Sequence, residues 1–511
     1  MMRLSSAIRR ERTRLELERL KRRIASWYEH RRAADTEPAG RYIGRHHTQL
    51  ETLKSVLTAA ADAFEADLDT APDEPEGALH DRCREVDRAI VWLERFWTFY
   101  REKFDQRDDD RLRPALRAAD EVVWSCYHEV MQRARQRDAT VVSRPAPLAF
   151  IAPEHSPAAL DSDARPRGDL TLPGDYERWS DDLRELVRTL PLPLLRLPPW
   201  CVESPWWLVF IAHEVGHHLM ADLELKDEVS SGVSSAVGKL RIFKQADVNR
   251  WQRWSQEIFA DAVSVMLLGE WAVRATAEVE WSTAERMVVP KLDYPAPLVR
   301  LELMAQLASR LGLDGAAGLG VFAPDAVAAA HPSVGRHREA VPPVVEYLAT
   351  QRLRGIGTLA ELCGFDQDVL SQDVAYWSSG LTQEKLPSPR AALGTARRVA
   401  AASFAVWAKV TTDPERTERA ALLAGDGETP PAVAELANGE QADTRRIAVR
   451  RLEGTARLAS NTREVLSRSG PPGTRSAFQP EGAAADVGVE LCALLRESLG
   501  ARPTLPSDDE A

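Results

Sequence analysis

Apolar residues recur every third or fourth position through the first part of the chain. In "LELERLKRRIASWYEH", Leu17, Leu20, Ile24 and Trp27 form one stripe among charges, the signature of an amphipathic helix. The same period runs through "LETLKSVLTAAADAF", "REVDRAIVWLERFWTFYREKF" and "ALRAADEVVWSCYHEVMQRA", so residues 1–137 are expected to form a helical N-terminal region. The first stripe is a narrow seam on a basic helix, which predicts packing against a partner or against the body of the protein. The pattern then changes. "TVVSRPAPLAFIAP" (140–153) is β-branched, apolar and interrupted by Pro, which predicts one or two short strands. Residues 154–175 read as a Pro/Asp/Gly-rich loop. "LPLPLLRLPPW" (190–200) is a further candidate strand that its prolines assign to a sheet edge.

"ESPWWLVFIAHEVGHHLMADL" predicts a helix with Ser204 as N-cap and Pro205 at its first position. "VSSGVSSAVG" (229–238) reads as a Ser/Gly-rich connection to a second strong helix around 247–270, and residues 296–312 form a third. Beyond about 340 the chain is again helical and Ala/Arg-rich, with a flexible segment expected at 467–488. The expected division is a helical region over 1–137, a core over 138–340 and a helical C-terminal region over 341–511. The fold class is α+β, predominantly helical, with a short sheet. No internal repeat is visible.

Composition narrows the function classes. With 511 residues the chain can bury several cores, and 28% charged residues is ordinary for a globular protein. A net charge of -11 argues against nucleic acid as a main partner. The charge is uneven, since residues 1–34 hold eleven Arg or Lys against four Glu. That basic first helix and the other helical flanks are candidate surfaces for a protein partner. Five isolated cysteines, with no C-x-x-C pair, point to a reducing compartment. The N-terminus lacks the apolar core of a signal peptide, and the densest apolar run, Trp206 to Ala212, is far too short to span a membrane. A soluble, cytoplasmic protein is expected.

The chemistry lies in "HEVGH". His213 and His217 are four apart, one turn above each other on a helix, and two imidazoles there can take two corners of a zinc tetrahedron. Glu214 can then reach a water on the metal without itself binding the metal. His218 points off that face and reads as structural. Forty residues after His217, "WQRWSQEIFADAVSVMLLGEW" places Glu257 and Asp261 on the same face as Trp254, Ile258, Val265 and Leu268. Two carboxylates on a buried face are costly unless paired, and no Lys or Arg lies between Glu257 and Leu268. A divalent metal supplies the missing charge: Glu257 as third ligand, Asp261 accepting the ring N–H of a ligating histidine.

"HEVGH" followed by "EIFAD" resembles the E-x-x-A-D form of the gluzincins, zinc metallopeptidases with two His and one Glu as ligands. The spacing is more similar to soluble bacterial relatives of the CAAX-type endopeptidases than to thermolysin. The resemblance covers roughly residues 180–270 and extends more weakly to 340. It implies a zincin-like core, one Zn²⁺ per chain on His213, His217 and Glu257, Glu214 as general base, and Asp261 supporting a histidine, expected to be His213. "LDYPAPLVR" is similar to the downstream H-P-P-x-x-x-R element of related peptidases, with Tyr294 in the His position and Arg300 as the arginine. Tyr294, Arg300 and His331 of "AAHPSVGRHREAV" are the candidates for stabilising an oxyanion. The expected activity is zinc-dependent hydrolysis of a peptide bond in a protein or peptide substrate. An extended substrate would add to a sheet edge near 140–152 or 193–197. Hydrolysis of a non-peptide substrate, or a regulatory role built on a zincin scaffold, are the alternatives.

Overall fold

The computed structural model describes residues 6–34, 44–71, 76–142, 144–153, 158–160, 192–313, 331–383, 386, 395–411, 454–469, 475 and 482–500. The first four helices follow the apolar stripes: α1 (Ser6–Ala34), α2 (His47–Thr70), α3 (Glu76–Asp105) and α4 (Arg113–Arg137). On α1, Leu17, Leu20 and Ile24 are at most 2% exposed, buried in a core shared with α2 and α3. Trp27 meets Trp97 and Phe104 edge-on and donates its indole N–H to Asp105 at 3.2 Å. The seam therefore packs on the body of the protein.

Much of the basic face of α1 is also used internally. Lys21 lies 3.1 Å from Asp62 and 2.7 Å from Glu65, Arg23 lies 2.7 Å from Glu94, and Arg31 lies 3.0 Å from Asp105. Arg9 and Arg14 pair with Asp87 and Asp69. The local excess of positive charge is complementary to acidic α2 and α3. The helix Ala483–Gly500 completes this bundle against α2, and Leu491, Cys492 and Leu495 enter its core. Residues 470–474 and 476–481 of the segment expected to be flexible, 467–488, lie outside the described residues, but its last part belongs to this helix.

A second, larger core holds α4 together with the HEVGH helix (Ile211–Asp222) and the EIFAD helix (Gln245–Leu268). A three-stranded sheet stands between the two cores. Its strands are β1 (Leu148–Ile151), β2 (Ala158–Leu160) and β3 (Leu194–Leu197), in the order β1-β3-β2. β1 runs parallel to β3 with Leu148 opposite Leu194, and β2 runs antiparallel with Leu160 opposite Leu194. Successive side chains of a strand face opposite ways. Leu148, Phe150 and Leu194 accordingly enter the bundle core, while Ala149, Leu195 and Leu197 enter the larger one. A small hairpin, Arg352–Leu353 with Gly357–Thr358, forms a separate sheet.

Two expectations are corrected here. Residues 194–197 form the central strand, not an edge, because Pro193 and Pro198 flank the four-residue strand and leave its own N–H groups free to pair. Residues 229–238 are not a loose connection but most of a helix, Lys226–Gly238. Val229, Val233, Ala236 and Val237 give it a buried stripe, and its serines lie on the half-buried and exposed faces. Pro205 does begin a helical segment, but one that runs as a 3₁₀ helix over Pro205–Phe210 before the HEVGH helix starts. Trp206 stacks on Trp407 and Trp207 packs on Phe404, which anchors this segment to the helix Thr395–Thr411.

All five cysteines are buried and free. Among the described residues no helix is long and apolar enough to cross a membrane.

Because Ile24 is 1% exposed and Leu15 on the same helix is 45% exposed, Ile24→Ala should destabilise the protein by about 2–5 kcal/mol in urea unfolding. Leu15→Ala should change it by less than about 0.5 kcal/mol. Equal effects would mean that α1 is not docked by this stripe.

Candidate metal centre

The HEVGH and EIFAD helices approach backbone to backbone. A Cβ added at Gly216 would lie 2.7 Å from the Ala260 Cα, so a larger residue at either position would force the helices apart. Three side chains next to this contact converge. His213 Nε2 is 3.2 Å from Glu257 Oε2, His217 Nε2 is 3.4 Å from the same oxygen, and the two imidazole nitrogens are 3.3 Å apart. Donors bound tetrahedrally at about 2.0–2.2 Å from one ion stand roughly 3.3–3.6 Å from each other. The triangle has those dimensions.

Direct hydrogen bonds do not account for the triangle. Charged N–H···O bonds are about 2.7–2.9 Å long, shorter than either contact to Glu257. Glu257 Oε2 is buried without a hydrogen-bond partner, aimed between two imidazole nitrogens. A buried carboxylate oxygen left in that state is costly, and a cation at the centre would satisfy it. The residues fit a zinc ion: two neutral nitrogens and one carboxylate oxygen on converging helices.

Behind His213 a chain of charges fixes the ring. His213 Nδ1 lies 2.9 Å from Asp261 Oδ1, close enough for an ion pair but off the axis of a straight hydrogen bond. Asp261 in turn receives the fork of Arg300, Nε at 2.8 Å and Nη2 at 2.7 Å, while Nη1 of Arg300 donates to Glu280 at 2.8 Å. Burial alone would pull the His213 imidazole down. The carboxylates of Asp261 and Glu257 outweigh it and hold the metal-free ring up at about 10. Burial pushes the Glu257 and Asp261 carboxyls up. Both nevertheless stay below the usual range, Glu257 because of the two histidines and Asp261 because of Arg300 and His213.

The other candidates fall in different places. Glu214 is buried, beside His213 on the same helix. Tyr294 is half-buried near the Glu257 carboxylate, with the Arg300 guanidinium 4.9 Å from its ring. Burial and the Glu257 and Glu214 carboxylates hold its proton on more firmly than in a free phenol. Arg300 is corrected from an oxyanion donor to a support of Asp261, since Nε, Nη1 and Nη2 all face carboxylates. His331 occupies the position just before the helix Pro332–Glu339, without a side-chain cap, and lies near Glu285; among the described residues no hydrogen bond or ion pair joins it to the triad. His218 reaches the Leu194 carbonyl at 3.2 Å and ties the helix to the central strand.

Sequence reasoning missed two contributors. Glu280, at the end of the helix Glu270–Glu280, completes the Arg300 clamp, and Gly216 sets the helix separation. Gly216 was legible as the glycine within "HEVGH"; Glu280 carried no spacing signal. The chain matches no model of a known protein family, no curated protein and no solved structure.

Metal binding should release protons. The metal-free His213 keeps its proton below about pH 10, and a metal on Nε2 must displace it, so affinity should rise with pH through the neutral range. Calorimetry in buffers of different ionisation enthalpy near pH 8 should show at least about one proton released per zinc; none would mean that His213 is not a ligand.

Arg300→Ala should leave Asp261 buried beside His213 without its counter-charge. Zinc affinity should fall by about ten- to a hundredfold, with partial recovery in Arg300→Lys. Unchanged affinity would show that the clamp does not orient the ring.

Proposed function

We propose that the protein is a zinc-dependent peptidase of the gluzincin type, built on a zincin-like core. The observation that carries this reading is the buried, near-equilateral triangle of His213, His217 and Glu257 donor atoms with Glu214 beside it. Zinc, when bound, supplies Lewis acidity and lowers the pKa of a water in its contact to about 7.

The chain's own groups do the rest. Glu214 accepts the proton of the attacking water and returns it to the departing amine nitrogen, the two tasks of a general base that becomes a general acid. Asp261, clamped by Arg300, keeps the Nδ1 side of His213 occupied, so that Nε2 is the nitrogen turned to the metal position. Tyr294 retains its phenolic proton beside Glu257 and is the group placed to donate to the carbonyl oxygen as charge develops there. Burial of these groups strengthens each charge interaction.

The pairing of the sheet disfavours substrate strand addition at 193–197 and along β1. β3 is paired on both sides, and the outer edge of β1 is capped by Gln106, which bonds the Ile151 N–H and carbonyl, and by Arg107 on the Ala149 carbonyl. β2 is the other edge strand, and it packs on the HEVGH helix; an extended substrate would pair there.

Glu214→Gln tests the assignment. It preserves size and hydrogen-bonding shape but cannot take a proton, so zinc content and fold should persist while hydrolysis falls by about three orders of magnitude or more. A variant that hydrolyses substrate as the wild type does would remove Glu214 as the base.

A further inference from the structure

An open cleft of about 640 Å³ lies between the first half of the EIFAD helix and the segment before Tyr294, lined by Asn249, Arg250, Arg253, Lys291 and Leu292 among others. No acidic residue is among its lining residues. One wall shares a helix with Glu257, and the other leads to Tyr294. On the EIFAD helix, Arg250, Arg253, Glu257 and Asp261 are spaced three, four and four apart, so they lie along one face. Across from them, Lys291 stands three residues before Tyr294, its ammonium 5.6 Å from the Tyr294 ring.

The charges in this cleft are exposed, yet they sit against little that would neutralise them. Lys291 lies 3.6 Å from Glu280, but Arg300 already holds that carboxylate at 2.8 Å. Arg250 lies 3.7 Å from Asp247, and among the described residues Arg253 enters no ion pair. Leu292, 69% exposed, and Val289, 59% exposed, are apolar neighbours of Lys291. Three cations with apolar side chains beside them, in a chain of net charge -11, make a site for one anionic, partly apolar segment.

Resting on the peptidase reading, we propose that this cleft is a specificity subsite that binds an acidic side chain of the polypeptide substrate, close to the bond that is cut. Arg253 is one turn from Glu257, about 6 Å along the helix axis, and an extended chain covers that in about two residues. The acidic residue is thus placed two to three positions from the scissile bond. Arg253 and Lys291 are its principal contacts. They set which peptides bind, and take no part in the proton transfers.

The test is binding, separated from turnover. Fluorescein-labelled peptide mixtures of one length and random apolar or small composition, carrying paired Glu, Gln or Lys, are titrated into zinc-loaded Glu214→Gln protein and followed by anisotropy. The Glu mixture should bind at least about tenfold more tightly than the Gln mixture, with Lys weakest, and salt should weaken the Glu mixture most. Charge reversal at the exposed positions, Arg253→Glu with Lys291→Glu, should invert that order with zinc content unchanged. Equal binding of the Glu and Gln mixtures, binding by none of them, or an order that survives the reversal overturns the proposal. Selective binding of Glu peptides that the wild type then fails to cleave would leave the cleft assignment standing and remove the peptidase reading instead.

Discussion

The site depends on the contact between Gly216 and Ala260. Two helices that touch through side chains stand about 8–10 Å apart, and small residues at the crossing bring them towards the near end of that range. At that separation the imidazoles of His213 and His217 and the carboxylate of Glu257 converge within 3.2–3.4 Å of one another. A side chain at Gly216 would meet backbone, which cannot rotate away. The geometry of the triangle is therefore set by residues that carry no chemistry of their own.

Charge balance is the second constraint. Glu214, Glu257, Asp261 and Glu280 bring four carboxyl groups to the region, and Arg300 brings one buried guanidinium. In the metal-free protein a protonated His213 makes up part of the deficit. A divalent cation would replace that proton and add further positive charge, which couples metal affinity to pH. Arg300 is spent on Asp261 and Glu280, whereas Arg250, Arg253 and Lys291 of the cleft are exposed.

The N-terminal bundle is joined to this core through α4 and the sheet. Arg107 and His46 both hold Asp120 of α4, at 2.6 and 3.0 Å, while Arg45 and Arg475 hold Glu121 beside it, at 2.8 and 2.5 Å. These pairs are buried, so removing any one partner would strand a charge. Less than two turns further along α4, Tyr127 donates to Asp222 of the HEVGH helix. The bundle and the His213–His217–Glu257 triangle are thus tied to one continuous helix.

The sequence by itself determined the helices whose apolar stripes are strong, and it singled out the residues that converge as a candidate metal site. Stripe spacing fixes a helix face locally, and His213, His217, Glu257 and Asp261 lie on such faces, so their chemistry could be read without the fold. The assignment of Asp261 to His213 was legible for the same reason. Tertiary structure decided what depends on partners distant in the chain. Residues 194–197 are central because β1 and β2 flank them, which proline content cannot report. Residues 229–238 are helical because their valines find the EIFAD helix, although their serines and glycines favour a loop. Arg300 became a clamp and His331 stood apart from the triad because the packing of the helices that carry them set which way each side chain faces. An arginine's reach is long and its direction is chosen by whichever carboxylate is nearest in space. That choice is made between helices, not along them.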